Sequence, residues 1–394
     1  MTTPFPPPPV TSIDWDNVGF KVRDVNFHIQ STYTTTTGTW SAPQLIKSPL
    51  IPLHGMSPAL NYGQQAYEGL KAFRHPSSTP PSTSTTPSKI TIFRPHRNAS
   101  RLTHSTTYVS IPPIPESLFV QCVNLAVATN AEYVPPHNTK AALYIRPVVF
   151  GSSPQLSLTP PDEYTFAVFV TPTGVYHGVH AVDALILEDY DRTAPSGTGS
   201  AKVGGNYAPV LRHSAAAYKD GFGITLHLDS KTRTMVDEFS TSAFIGVKRD
   251  KDGGITLVQP DSPNVIDSVT AASVLEIGER MLGYKVEKRT VKYEEIAEFS
   301  EVIAAGTAAA LVPVRSISMK SRGDRWELEC GGTEGGGGPV CVELLRLLQG
   351  IQTGEVEDIF GWNWVVERPE LEGEGEGEKE KDREDKELNG VNVP

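Results

Sequence analysis

One lysine stands among mostly small residues in the stretch GTGSAKVGGNYAP, which covers residues 197–209. The neutral amine of a lysine is a nucleophile, and burial or a nearby positive charge favours that neutral form. Small neighbours would let a flat aldehyde cofactor approach Lys202 and form a Schiff base with its amine. A solvated lysine on a glycine-rich loop would have the same local sequence, so this stretch alone leaves both interpretations open.

The stretch does not fit the phosphate-loop pattern that it superficially resembles. That loop has a glycine directly before its lysine and a serine or threonine directly after it, whereas Ala201 and Val203 flank Lys202. A dinucleotide-binding fingerprint is excluded as well, because no G-x-G-x-x-G lies between a strand and a helix. A nucleotide-binding role is therefore the weaker hypothesis.

The elements that must position this lysine alternate between strand and helix patterns. Runs rich in Val, Phe and Thr predict strands, and apolar residues at helical spacing predict helices. Asp267 or Ser268 can cap a helix that Gly283 can end. The predicted strands cover 89–93, 141–151, 163–172, 221–229 and 234–249, and the predicted helices cover 116–134 and 267–283. This mixture in two halves predicts an α/β or α+β fold.

Low-complexity segments mark the edges of the predicted domains. We expect a flexible segment at 1–20, a smaller domain at 21–172, a linker at 173–184, a larger domain at 185–368 and an acidic, disordered tail at 369–394. A Ser/Thr/Pro-rich stretch at 75–88 predicts a surface insertion in the smaller domain, and GGTEGGGG at 331–338 predicts a flexible loop.

Five motifs follow one another along the chain: NYGQQAYEGLKAFR (61–74), LYIRPVVFG (143–151), KVGGNYAP (202–209), VDEFST (236–241) and AAGTAA (304–309). With these motifs the chain resembles, from about residue 50 to about residue 365, the branched-chain aminotransferase family of class IV, fold-type IV enzymes that use pyridoxal 5′-phosphate. The resemblance implies a smaller N-terminal α/β domain, a larger C-terminal pseudo-barrel domain and a cofactor in the cleft between them.

The resemblance also implies roles for the residues that would hold the cofactor. Lys202 would bind it as an aldimine and move the proton during amino transfer. Glu238 would keep the pyridine nitrogen protonated, with Asp237 on the opposite face of the strand. Arg101, in preference to the nearby arginines at 94 and 97, would bind the phosphate. The implied cofactor-binding set is Arg101, Lys202, Tyr207, Glu238, Thr241, Ile266, Ser268, Val269, Thr270, Gly306 and Thr307.

The implied substrate pocket is lined by aromatic residues, which suit an aliphatic side chain. Its residues are Tyr62, Tyr67, Tyr144, Arg146 and Ala308, although the tyrosines and the arginine could equally be core aromatics and a structural arginine. The family completes this pocket across a dimer interface, so the resemblance implies a homodimer. The implied reaction is ping-pong transfer of the amino group of an L-amino acid, leucine, isoleucine, valine or a related aliphatic one, to 2-oxoglutarate.

Three departures from the family pattern leave the amino-acid substrate open. Tyr67 replaces the usual phenylalanine before "EG", and Ser242 and Ala243 replace the usual methionine and asparagine after VDEFST. The alternatives are another fold-type IV enzyme (a D-amino-acid or amine transaminase, or an aminodeoxychorismate-lyase-like enzyme), an aminotransferase that tailors an amino acid for a specialised pathway, and a protein that binds the cofactor without turnover.

Composition excludes several other classes. The net charge is −11, but ten acidic and four basic residues lie from Glu370 onward, so the rest of the chain is only mildly acidic and does not suggest nucleic-acid binding. The sequence contains no run of about 18 apolar residues, so it predicts no membrane span. The N-terminus does not have the pattern of a targeting segment. Cys122, Cys330 and Cys341 lack metal-ligand spacing, which predicts no metal site. We therefore expect a cytoplasmic enzyme.

Overall fold

The computed structural model describes residues 4–76, 88–174, 180–330 and 336–369. Most of the predicted insertion at 75–88, parts of the predicted N-terminal segment, linker and glycine-rich loop, and all but the first residue of the predicted acidic tail lie outside the described residues. The described part of the chain folds into two mixed layers, each built on one β-sheet.

The strands, in chain order, are β1 (His28–Thr34), β2 (Thr39–Trp40), β3 (Gln44–Ile46), β4 (Gln65–Tyr67), β5 (Leu70–Arg74), β6 (Ile90–Phe93), β7 (Ala142–Gly151), β8 (Glu163–Thr173), β9 (Val182–Leu187), β10 (Ile224–Leu228), β11 (Val236–Phe239), β12 (Ala243–Arg249), β13 (Ile255–Pro260), β14 (Lys285–Arg289), β15 (Glu301–Gly306), β16 (Ala310–Met319), β17 (Asp324–Glu327) and β18 (Asn363–Val365). The α-helices are α1 (Pro58–Asn61), α2 (Pro95–Thr107), α3 (Glu116–Ala128), α4 (Val210–Lys219), α5 (Val269–Leu282) and α6 (Pro339–Thr353). Within the described ranges, none of these helices combines the length and apolar character needed to span a lipid bilayer.

The first sheet is antiparallel and has the order β18-β6-β5-β7-β8-β1-β2, with β3 on β1 and β4 on β7. Helices α2 and α3 contribute to its apolar core, with Leu102 and Phe119 among the fully buried side chains. Along β7 the even-numbered residues from 144 to 148 are half-buried and the odd-numbered ones are buried. Because side chains alternate across a strand, Tyr144 and Arg146 lie on the same face of the sheet.

The second sheet is mixed and has the order β11-β10-β9-β16-β15-β12-β13-β14, with β17 on β16. Its two faces pack against different apolar clusters. In β15, Ile303 and Ala305 belong to the cluster that contains α5 and α6, whereas Val302 and Ala304 belong to the cluster with Phe239 on the opposite face. Burial of both faces explains why these strands are apolar at almost every position instead of alternating.

Several predicted elements are confirmed and two are corrected. The strands predicted at 89–93, 141–151, 163–172 and 221–229 correspond to β6, β7, β8 and β10. The strand predicted at 234–249 is wrong as a single strand, because a tight turn in which Phe239 and Ser242 pair separates β11 from β12. The helix predicted at 116–134 ends at Ala128, and a 3-10 turn follows.

The helix predicted at 267–283 is confirmed as α5, together with both of its ends. The Ser268 hydroxyl accepts a hydrogen bond from Ala271 N at 3.2 Å, which caps the first turn. Gly283 ends the helix at φ 70°, a left-handed conformation that glycine adopts without the steric cost of a Cβ atom. Ser268, and not Asp267, is therefore the capping residue.

The end of the described chain returns to the first sheet. Strand β18 pairs with β6, although the predicted domain boundaries place residues 363–365 in the second domain. Trp362, just before β18, packs edge-on against Phe93 at 5.6 Å between ring centroids, and both belong to the apolar cluster of α5 and α6. The two sheets thus share apolar side chains at the border where the candidate site lies.

Candidate active site

The backbone of Lys202 is fixed by elements of the first sheet and by α2. Its N–H donates to the Ser105 hydroxyl at 2.8 Å, and its carbonyl accepts from Tyr67 N at 3.1 Å. The next residue, Val203, forms a β-bridge with Ala66. The lysine therefore lies at the junction of the two layers rather than on a free loop.

The small residues around Lys202 are required by close packing. A Cβ atom on Gly199 would come within 2.9 Å of Thr193 Cα and closer still to Asn264 O. A Cβ on Gly204 would overlap the side chain of Gln65. Both neighbours belong to other segments, so the glycines allow those segments to converge behind the lysine.

The amine of Lys202 faces two tyrosines. Its Nζ donates a hydrogen bond to the Tyr207 hydroxyl at 3.0 Å and lies 4.5 Å from the centre of the Tyr67 ring. Burial acts to raise the pKa of the Tyr207 hydroxyl, but Lys202 and Arg192 outweigh it, so the pKa lies below its usual value. An amine held beside an acidified phenol can exchange a proton with it and with a bound substrate.

Lys202 opens into a pocket of about 390 Å³ at the border of the two sheets. A neighbouring pocket, which contains Lys71 and the start of α5, shares Gly306 and Thr307 with it. Each predicted cofactor-binding residue lines one of these two pockets. The first is lined by Arg101, Lys202, Tyr207, Glu238, Thr241, Ile266, Ser268, Gly306 and Thr307, and the second adds Val269 and Thr270. The structure thus brings these residues, which lie in distant parts of the sequence, together around two adjoining pockets.

Glu238 lies on β11 and lines the first pocket. Its Oε1 contacts Nη1 of Arg192, and its Oε2 accepts only a long hydrogen bond, 3.4 Å, from Ile266 N among the described residues. Burial raises the pKa of the Glu238 carboxyl to about 7, although Arg192 and the Ile266 N–H act in the opposite direction. Asp237 points to the other face of β11, where it accepts from the Thr193 hydroxyl at 2.5 Å.

Arg101 lies on α2 and is also paired with a buried carboxylate. Its Nε and Nη2 each donate to Glu68 at 2.7 Å, and its Nη1 donates to Asp267 O at 2.9 Å. Burial alone would raise the pKa of the Glu68 carboxyl, but Arg101 and the Asn98 amide lower it below its usual value. Two N–H groups of Arg101 remain available for a ligand anion.

The other two candidate arginines point elsewhere. Arg94 donates to Ser273 at 2.9 Å and to Glu276 at 3.0 Å, and its guanidinium lies over the Trp362 ring. Arg97 forms an exposed ion pair with Asp267 at 2.8 Å. The structure thus brings Arg101, and neither neighbour, into the pocket.

Backbone N–H groups lie near Arg101, at the start of α5 and in the turn after β15. The first N–H groups of α5 lack partners within the helix, and a helix N-terminus attracts anions. The turn between β15 and β16 lies beside it and is held by Lys71, whose Nζ donates to Ala308 O at 2.8 Å. Among the described residues, no group of three or more His, Cys, Asp or Glu side chains could hold a metal ion. The donor set therefore suits an anionic group.

Three of the five predicted substrate-binding residues form one cluster near Lys202. The Arg146 guanidinium lies 4.9 Å from the Tyr67 ring and 5.0 Å from the Tyr144 ring, and it donates to the Tyr144 hydroxyl at 3.0 Å. A Cβ on Gly69 would overlap that hydroxyl, so only glycine fits there. No carboxylate among the described residues lies within 4.0 Å of Arg146.

The other two predicted substrate-binding residues lie apart from this cluster. Tyr62 is 45% exposed, and its hydroxyl donates to Leu156 O at 2.5 Å. Ala308 lies in the β15–β16 turn, is exposed, and accepts a hydrogen bond from Lys71 through its carbonyl. The structure therefore does not bring Tyr62 to the pocket within a single chain.

Three charged residues of this region were not predicted from the sequence. Arg192 pairs with Glu238, Glu68 pairs with Arg101, and Lys71 holds the β15–β16 turn. Glu68 and Lys71 were inside a quoted motif, YEGLK, and Arg192 lies ten residues before Lys202. Their partners are distant in sequence, so the spacing of the motifs could not identify their contacts.

Comparisons of the sequence and of the structure with known proteins both find similarity to aminotransferases. Residues 87–317 match the family described as "Amino-transferase class IV". The chain is 52% identical over 365 residues to "Aminotransferase poxL" of Penicillium oxalicum, which covers 93% of this chain and 96% of that relative. It is 44% identical over 373 residues to "Branched-chain amino acid aminotransferase gloG" of Glarea lozoyensis, with 94% and 100% covered.

A solved structure shares the fold. The branched-chain amino acid aminotransferase of Thermobaculum terrenum, in its holo form with pyridoxal phosphate, superposes with a TM-score of 0.67 over 87% of this chain and 99% of that chain. The sequence identity is only 18%, so this likeness concerns the fold.

Proposed function

This chain belongs to the class IV aminotransferases, which depend on pyridoxal 5′-phosphate, and we propose that it transfers the amino group of an L-amino acid to 2-oxoglutarate. We propose leucine, isoleucine, valine or a related aliphatic amino acid as the donor, in a ping-pong cycle through Lys202. The observation that carries the proposal is the convergence of all eleven predicted cofactor residues on two adjoining pockets beside the Lys202 amine.

The residues present fit pyridoxal phosphate. The pocket offers the free N–H groups of Arg101 and the start of α5 for the phosphate. It also offers Oε2 of Glu238, which has only one long hydrogen bond among the described residues, for a ring nitrogen. A lysine amine and a phenol, Lys202 and Tyr207, line the same pocket.

When bound, pyridoxal phosphate supplies an aldehyde that condenses with amines and a ring that takes up the electrons left when the α-proton departs. We assign Lys202 Nζ as the group that holds the cofactor and then carries the α-proton. Tyr207 would hold the lysine amine in place through the 3.0 Å hydrogen bond and would donate toward the cofactor's phenolic oxygen. Glu238, when ionised, would favour a protonated ring nitrogen.

The substrate would lie next to Lys202 on the side of Tyr67, whose ring centre is 4.5 Å from the lysine amine, and of Tyr144. Backbone N–H groups of the Thr307–Ala308 turn are available for the α-carboxylate. The aromatic rings suit an aliphatic side chain. Arg146, which has no carboxylate partner among the described residues, would bind the distal carboxylate of 2-oxoglutarate. One pocket would then accept an apolar donor and a dicarboxylic acceptor in turn.

We also propose that the chain acts as a cytoplasmic homodimer. Large apolar side chains are exposed around Tyr62, with Leu156 at 75% and Leu158 at 85% exposure. A partner subunit that covered them would enclose Tyr62 and complete the substrate pocket. Sedimentation equilibrium of the purified protein tests this proposal, and a monomer at micromolar concentration would contradict it.

The first test is the visible spectrum of the purified protein before and after L-leucine, with no oxo acid present. We expect a yellow protein whose absorbance bleaches, because the amino group passes to the cofactor and stays there. D-leucine should leave the colour unchanged. Lys202→Ala should abolish turnover and leave the unfolding transition within about 1 kcal/mol of the parent, because the amine itself makes few contacts.

The outcomes separate the levels of the proposal. A yellow protein that L-leucine does not bleach would contradict the aliphatic donor but keep the enzyme class, and bleaching by D-leucine alone would favour the D-amino-acid alternative. A fully active Lys202→Ala variant would sink the proposed role of the lysine.

A further inference from the structure

Arg192 is a buried arginine at the wall of the pocket, outside the predicted cofactor set. Its side chain is 1% exposed, and its Nη1 contacts Oε1 of Glu238. The same nitrogen donates to Gly199 O at 3.3 Å, and the guanidinium carbon lies 5.5 Å from the centre of the Tyr207 ring. Arg192 therefore contacts the loop before Lys202, the carboxylate on β11 and the phenol beside the lysine amine.

Two successive residues of this segment hold two successive residues of β11. Arg192 contacts Glu238 on the pocket face, and Thr193 donates to Asp237 on the opposite face. Side chains of neighbouring strand residues point to opposite faces, so Arg192 and Thr193 contact β11 on both of its faces. Rotation of Glu238 away from the pocket would break its contact with Arg192 and leave the Thr193–Asp237 hydrogen bond in place.

The contact with Arg192 occupies one carboxylate oxygen of Glu238 and leaves the other available. Oε1 of Glu238 is taken by the guanidinium, whereas Oε2 accepts only the 3.4 Å hydrogen bond from Ile266 N among the described residues. Each carboxylate oxygen can accept two hydrogen bonds. Arg192 therefore orients Glu238 without using up the capacity that a ring nitrogen would need.

We propose that Arg192 is a positioning residue for amino-group transfer: it fixes Glu238 at the pocket wall as an anion and leaves Oε2 to accept a hydrogen bond from the cofactor's ring nitrogen. This inference rests on the proposed function, in which Glu238 faces that nitrogen. It assigns to Arg192 an action through Glu238, not a contact with substrate.

A buried carboxylate without a cation takes up a proton, because the charged form loses its hydration. Glu238 is close to that limit, since burial raises its pKa to about 7 even with Arg192 present. Among the other charged groups, Asp237 on the opposite face of β11 raises its pKa and Lys202 lowers it. The remaining titratable groups beside it are the Tyr207 phenol and His227, the residue of β10 that pairs with Glu238. Loss of Arg192 would remove the main cation, so the carboxyl would be neutral near pH 8.

The test compares Arg192→Met with Arg192→Met/Glu238→Gln, both as purified with added pyridoxal phosphate. At pH 8 we expect Arg192→Met to show the infrared absorption of a protonated carboxylic acid, which the double variant lacks. We expect kcat at pH 8 to fall about a hundredfold, the scale for loss of one preorganised electrostatic group. The acid limb of the kcat profile should move upward by about one pH unit or more.

The conservative variant and a matched control separate positioning from a structural role. Arg192→Lys keeps the charge and should restore kcat to within about tenfold of the parent. Thr193→Val removes the hydrogen bond on the other face of β11 and should leave the pH profile in place. If Arg192→Met does not fold, Arg192→Gln takes its place in the comparison with Arg192→Lys.

An unchanged acid limb in Arg192→Met would overturn the inference. So would an equal loss of kcat on adding Arg192→Met to Glu238→Gln, because a residue that acts through Glu238 has little left to affect once Glu238 is neutral. If the parent protein neither binds pyridoxal phosphate nor transfers amino groups, the proposed function fails instead. The infrared comparison still decides whether Arg192 keeps Glu238 ionised.

Discussion

Two buried arginine–carboxylate pairs, Arg101–Glu68 and Arg192–Glu238, contribute their arginines to the lining of the same pocket, and their carboxylates differ in how they are satisfied. Glu68 accepts from Arg101 twice, from Asn98 at 2.8 Å and from Gly69 N at 3.1 Å, and its pKa is lowered. Glu238 has one arginine contact and one long backbone hydrogen bond, and its pKa is raised to about 7.

This difference indicates which member of each pair orients its partner and which member is available to interact with a ligand. A carboxylate with four donors is a fixed anion, so Glu68 serves to hold the Arg101 fork in one orientation. A carboxylate with spare acceptor capacity can still respond to a ligand, so in the second pair Arg192 orients and Glu238 acts on the ligand. The same pair of residue types thus has opposite roles in the two pairs.

The largest expected effects come from neutralising each carboxylate in turn. Glu68→Gln breaks a fully satisfied buried pair and should lower the free energy of unfolding by about 3–5 kcal/mol. With saturating cofactor its kcat should stay within about threefold, because Arg101 binds reactant and transition state alike. Glu238→Gln should show the reverse, with a smaller loss of stability and a loss of kcat of about a hundredfold or more.

Urea unfolding and steady-state kinetics on the two variants check this crossed pattern. Glu276→Gln is a suitable control for the loss of an ion pair, since Glu276 pairs with Arg94 away from the pocket and is 39% exposed in its side chain. If Glu68→Gln and Glu238→Gln lose the free energy of unfolding and kcat to the same degree, the division of roles between the two pairs is wrong.

The pH dependence of stability should separate the two carboxylates by sign. The folded-state pKa of Glu238, about 7, lies above the ordinary value of 4.5, so the folded state binds the proton more tightly and the stability contributed by this group falls as pH rises between them. The pKa of Glu68 is lowered, so its contribution is present above the unfolded value and is lost as pH falls through the folded value.

The measurement is the free energy of unfolding of the parent and the two glutamine variants from about pH 4 to about pH 8. Parent minus Glu238→Gln should decrease across the window from 4.5 to about 7. Parent minus Glu68→Gln should stay level there and decrease only at more acidic pH. Parallel curves for both differences would mean that the two carboxylates titrate alike.

The same comparison shows how far the sequence could predict the site. The motifs that contain Lys202 and Glu238 are local, and each predicted cofactor residue lines one of the two pockets. The partners Arg192 and Glu68 lie 46 and 33 residues from the groups they support, and no local pattern encodes such contacts. Their identification required the fold.

The fold itself shows a similar division. Strand β7 and helix α5 were predictable, because a run rich in Val and Phe and the Ser268 and Gly283 ends are local signals. The break between β11 and β12 was missed, because the turn contains no Gly or Pro and its Ser/Thr cluster, Ser240–Ser242, was predicted as part of one strand. The return of β18 to the first sheet depends on tertiary contacts with β6.

The smallest expected effect concerns one donor of the more satisfied carboxylate. Asn98 Nδ2 donates to Glu68 Oε2 at 2.8 Å and is buried, so Asn98→Leu removes a hydrogen bond to a charged group and should lower the free energy of unfolding by about 1.5–3 kcal/mol. Thr106→Val, also buried on α2 but bonded only to Thr103 O, is the matched control and should lose less. Because three donors would remain on Glu68, kcat and the position of the acid limb should not change in either variant. If Asn98→Leu displaced the acid limb of the kcat profile, the Glu68 pair would also take part in the titration of the pocket. The Arg101–Glu68 and Arg192–Glu238 pairs would then no longer have separate roles.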